Sequence, residues 1–94
     1  MSVQPAMRYR LASKARLVFD GARGKHMLIY PERGLELNEV GHAILKLCDG
    51  QNSVARMVEL LAGRFERADA ETVTRDVTAF LTQLEQRGVI VGEE

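Results

Sequence analysis

Apolar residues in this chain follow two periods in succession, a period of two over its first third and a helical period over the rest. Arg16 to Asp20 alternates, with Leu17 and Phe19 on one face and Arg16, Val18 and Asp20 on the other, as a half-buried strand does. Gly21-Ala22-Arg23-Gly24 supplies a turn, and His26-Met27-Leu28-Ile29-Tyr30 follows as a strand apolar enough to be central. Pro31 ends that strand and Gly34 closes the reversal, which sends Leu35-Glu36-Leu37 back as a short edge strand. Tyr9 to Ala12 is too brief a pattern to assign.

The helical period begins after Asn38, whose side chain can cap the first turn. Val40, Ile44, Leu47 and Cys48 form one stripe, and Asp49-Gly50 stops the run. Ser53 caps a second helix with Val54, Met57, Val58 and Leu61 inward, ending at Gly63. Asp69 opens a third, from about Ala70 to Gln86, whose inner face carries Val73, Val77, Phe80, Leu81 and Leu84, with Gly88 ending it. Val89-Ile90-Val91 is expected to be an extended coda against the core. The sum is an α+β domain, winged-helix-like, in which a three-stranded antiparallel sheet is followed by a three-helix bundle.

Ninety-four residues suit a single domain, expected over residues 8–94 behind a flexible tail over 1–7. At 46% hydrophobic and 28% charged residues the composition is that of a soluble globular protein. No apolar run approaches the roughly 20 residues that cross a bilayer, and the start lacks the marks of a secretory signal. Membrane binding is therefore not expected, and a cytoplasmic location is. Cys48 is the only cysteine, so no internal disulfide can form. Net charge is zero, but residues 1–34 hold seven basic and two acidic side chains, and the remainder six basic and eleven acidic. Such polarity can steer a charged partner or simply solvate two faces.

Candidate chemistry is sparse. His26, His42 and Cys48 fall short of a zinc ligand set, and His42 and Cys48 lie on different faces of one helix. Cys48 sits on the apolar stripe, where burial makes a thiol inert. Gly21 to Gly24 joins two strands, so it lacks the helix start that phosphate cradles use. Glu36, Glu39, Asp49 and Asp76 are of the type used in acid-base work, but nothing in their spacing pairs two of them in a cleft. No enzyme, metal or cofactor is implied. Winged-helix nucleic-acid binding is an alternative, carried by Arg8, Arg10, Lys14 and Arg16, but the third helix is acidic and phosphates would be repelled. A structural oligomerisation module is another, and an exposed edge strand also permits a homodimer.

Tyr30-Pro31-Glu32, Leu37-Asn38, Ile44-Leu45-Lys46-Leu47-Cys48-Asp49-Gly50, Asp76-Val77, Phe80-Leu81, Leu84 and Gly88-Val89-Ile90 stand in an order and spacing that resembles the PqqD family. The resemblance covers about Arg8 to Val91. It implies a peptide chaperone of pyrroloquinoline quinone (PQQ) biosynthesis, a RiPP recognition element that binds the ribosomal precursor PqqA and presents it to the radical SAM enzyme PqqE without catalysing anything itself. It also implies a groove between the edge strand and the last helix, built from Leu35, Glu36, Leu37 and Asn38 with Arg75, Val77, Phe80, Leu81 and Leu84. The helical members of that set equally form the stripe that the third helix buries in the core, and Asp76 reads as a brace of the fold.

Overall fold

The computed structural model describes residues 3–31, 33–64 and 69–93. Among these residues nine elements run in the order β1 (Arg8–Leu11), β2 (Arg16–Asp20), β3 (Lys25–Tyr30), β4 (Arg33–Leu37), α1 (Glu39–Lys46), β5 (Asp49–Ser53), α2 (Val54–Arg64), α3 (Ala70–Gln86) and β6 (Ile90–Glu93). The α+β class holds, with two sheets where the sequence implied one. β2, β3 and β4 form an antiparallel sheet in that order, and a second sheet has the order β5-β1-β6.

The first sheet follows from local signals. Asp20 Oδ1 accepts from the amides of Ala22 and Arg23, and Gly24, at φ 66°, takes the left-handed conformation that lets the chain reverse. At the other end Tyr30 pairs with Arg33, so Gly34, which the sequence led one to expect at the close of the turn, lies instead within β4 opposite Ile29. Residue 32, quoted in the Tyr30-Pro31-Glu32 motif, lies outside the described residues.

The second sheet is long-range. β1 pairs with β6 from Arg8↔Glu93 to Leu11↔Ile90, and with β5 through Arg8↔Ser53 and Arg10↔Asp49. β5 covers five residues where β1 covers three, so the register shifts between Arg8 and Arg10, and the irregular stretch of β5 includes Gly50 at φ 79°. Asp49-Gly50, expected only to end a helix, thus also begins a strand, in which Asp49 Oδ1 takes the amides of Gln51 and Asn52.

The caps sit where the sequence puts them. Asn38 Oδ1 accepts from Gly41 at 2.7 Å, Ser53 Oγ from Arg56 at 3.1 Å and Asp69 Oδ1 from Thr72 at 2.7 Å, each satisfying an amide with no partner inside its helix. α2 runs one residue past Gly63. The core gathers Tyr9, Leu28, Ile44, Leu45, Met57, Val77, Leu81, Leu84 and Val89 from both sheets and all three helices. Three expected core positions are outside it: Val40, Val91 and Phe19 are exposed, Phe19 by 59%.

Residues 1–7 were expected to be a loose tail. Met1 and Ser2 lie outside the described residues, but Met7 is buried, Val3 packs on the core, and the carbonyls of Pro5 and Met7 accept from the amides of Ala55 and Val54. The lead-in therefore completes the open first turn of α2.

Candidate peptide-binding groove

β4 has β3 on one side and no strand on the other among the described residues. Its pairing decides which backbone groups are left over. The pair that closes a hairpin ladder is hydrogen-bonded, here Tyr30↔Arg33, and alternation then assigns the ladder bonds to Leu28–Leu35 and His26–Leu37. The N–H and C=O groups of Gly34 and Glu36 therefore point away from β3, along the open edge. Side chains alternate the other way: Leu35 and Leu37 lie on the face carrying Leu28, and Glu36 on the opposite face beside Met27.

Between this edge and α3 lies a groove of about 400 Å³, lined by Lys25, Leu35, Glu36, Leu37, Asn38, Gly41, Phe80, Gln83, Leu84 and Arg87. Its floor is apolar and its rim polar. Six of the nine residues assigned from the sequence are brought together here: Leu35, Glu36, Leu37, Asn38, Phe80 and Leu84. Val77 and Leu81 are not, because they turn into the core at 1% and 0% exposure, and Arg75 is exposed away from the lining. Leu84 is nearly inaccessible and supports the floor, whereas Phe80 is half-buried and presents its ring.

Lys25, Gly41, Gln83 and Arg87 also line the groove. Gln83 and Arg87 follow Phe80 at helical spacing, a signal present in the sequence but polar, so that it lies outside the apolar stripe. Gly41 matters because a Cβ there would stand 3.3 Å from Phe80 Cζ and 3.1 Å from Asn38 Oδ1. The missing side chain leaves room for the ring.

Lys25 Nζ lies 2.8 Å from Glu36 Oε1, and this hydrogen bond, with the ammonium charge, holds the Glu36 carboxyl below its usual range. Both partners are half exposed, so the pair adds little stability. Among the described residues the groove lining holds no cysteine, histidine, serine or threonine. Cys48 is buried, and desolvation pushes its thiol up to about 12. His42 stacks on His26 with centroids 3.7 Å apart. Among the described residues no cluster of three or more His, Cys, Asp or Glu could hold a metal ion, and no helix is long and apolar enough to cross a membrane.

Comparison with known proteins identifies the family. The family model of coenzyme PQQ synthesis protein D (PqqD) matches residues 25–90. A PqqA binding protein of Rhodopseudomonas palustris is 39% identical over 90 residues, covering 96% of this chain and 87% of that one. The bifunctional coenzyme PQQ synthesis protein C/D of Methylorubrum extorquens is 37% identical over 86% of this chain, which spans only 22% of that longer protein. Among solved structures, the solution structure of the PqqD truncation of Methylobacterium extorquens PqqCD, described as a functional, stand-alone RiPP recognition element, superimposes with a TM-score of 0.73 at 36% identity, covering 88% of this chain and 87% of that one. A lasso peptide synthetase B1 complexed with its leader peptide shares the fold, with a TM-score of 0.74 at 23% identity over 89% of this chain and 98% of that one. With the family model covering most of the chain and relatives this similar along nearly its whole length, the chain belongs to the PqqD family.

Proposed function

We propose that this protein is a non-catalytic peptide carrier of PQQ biosynthesis, which binds the precursor PqqA by strand addition to β4 and presents it to the radical SAM enzyme PqqE. The observation that carries this reading is the open edge of β4 standing over an apolar-floored groove. A disordered peptide gains main-chain hydrogen bonds from Gly34 and Glu36, while alternate side chains enter between Leu35, Leu37 and Phe80. Relatives named for binding PqqA supply the identity of the guest. Holding the guest extended leaves its remaining length free for an enzyme to act on, with no cofactor needed in the carrier.

Titrating isotope-labelled protein with PqqA is the test. Amide signals of residues 33–38 and of α3 are expected to shift. Shifts confined to the basic segment from Arg8 to Arg16 would overturn the placement, and no shifts at all would overturn the reading.

A further inference from the structure

The groove has a charge direction, and this inference rests on the strand-addition reading above. Asp76, Phe80, Gln83 and Arg87 stand at i, i+4, i+7 and i+11 on α3. At 100° per residue the last returns to within about 20° of the first, so the four make one stripe about 16 Å long. A second hollow of about 280 Å³, lined by Asn38, Val40, Gly41, Ile44, Asp76 and Phe80, continues the groove and shares Asn38, Gly41 and Phe80 with it. Asp76 thus closes one end and Arg87 the other.

Both end charges are exposed, and neither makes an ion pair among the described residues. The other two charges lining the main groove, Lys25 and Glu36, neutralise each other at 2.8 Å. What remains is a field running from a carboxylate to a guanidinium across an apolar middle. The helix dipole favours a cation at Arg87, at the end of α3, but its influence fades within a turn and gives no reason for an acid at Asp76, in the second turn.

An added strand advances about 3.3 Å per residue, so 16 Å corresponds to about five residues. Groove-facing side chains recur at every second position, which sets the matching charges four or six apart. We infer that the groove selects guests by charge order: main-chain pairing with β4 sets the chain direction, and in that direction a peptide carrying a cationic side chain at the Asp76 end and a carboxylate at the Arg87 end, with apolar residues between, is bound in preference to one with the charges exchanged.

Two fluorescein-labelled peptides of identical composition test this. Both share an apolar centre, one with Lys preceding Glu by four or six positions and the other with Glu preceding Lys. By fluorescence anisotropy at low salt, one order is expected to bind the wild type about five- to tenfold more tightly, because two surface pairs change from attractive to repulsive. The double exchange Asp76→Lys with Arg87→Glu is expected to invert the preference, Arg87→Gln to weaken it, and 0.5 M salt to compress it. Circular dichroism checks that the variants stay folded. Equal binding of the two orders, or an uninverted preference in the double variant, overturns the charge-order inference while PqqA binding survives. If neither these peptides nor PqqA binds, the strand-addition reading itself falls.

Discussion

The ring of Tyr9 covers Gly92, its direct partner across the β1–β6 pair: a methyl group at Gly92 would stand 2.7 Å from Tyr9 Cε1 and 2.7 Å from Met7 Cε. Tyr9 is fully buried, its hydroxyl reaching Glu85 on α3 at 3.5 Å, and desolvation followed by the Glu85 charge pushes that hydroxyl up to about 12. The N-terminal strand, the C-terminal strand and the last helix are thus joined at one ring.

Gly92→Ala is therefore expected to destabilise the protein by about 1–3 kcal/mol, since a rigid ring in a full core must move. Chemical denaturation measures it. A loss below a few tenths of a kcal/mol would mean that the ring shifts freely.

Gly41→Ala is expected to separate stability from binding. Alanine is about 1 kcal/mol better than glycine inside a helix, which offsets the close approach to Asn38 Oδ1 and Phe80 Cζ. The net change in unfolding free energy should stay within about 1 kcal/mol, while calorimetry shows a severalfold loss of PqqA affinity as the Phe80 ring is pushed into the groove. Unchanged affinity would place the guest elsewhere.

Glu36→Pro removes an amide that points along the open edge and is not used in the ladder with β3. Proline is tolerated at such an edge position, so the helical circular dichroism should persist while PqqA binding drops at least tenfold. Glu36→Gln keeps the amide and should bind nearly as the wild type does, because the exposed Lys25 pair contributes little.

Acid is expected to loosen the contact between β3 and α1. Burial, and then the charges of His26, Lys46 and Arg64, lower the His42 pKa, and His26 is itself packed against Phe19. A histidine depressed in the fold binds protons more readily when unfolded, so its contribution is complete above the unfolded value near 6.5 and is lost as pH falls through the lower folded value. The melting temperature should hold from pH 8 to 7 and decline below about 6.5, with a shallower decline in His42→Gln. Asp49 and Asp69, whose carboxyls are held low by backbone amides, lose their contribution only at more acid pH.

Taken alone, the sequence determined whatever depends on neighbours a few residues apart. Asn38, Ser53 and Asp69 each cap an amide three positions on, so the helix starts were legible, and the bounds of α3 came from Asp69 before it and Gly88 after it. Alternation and turn residues likewise identified β3 as central and β4 as an edge. Only the tertiary structure decided the second sheet, because β1 finds its partners some forty and eighty residues away and β5, with the sequence Asp-Gly-Gln-Asn-Ser, has no strand-forming pattern of its own. It also decided which apolar residues of α3 face the groove. Val77, Phe80, Leu81 and Leu84 share one stripe, and periodicity cannot say where that stripe leaves the core. That depends on the angle at which β4 and α1 meet the helix and on the room that Gly41 leaves beside Phe80.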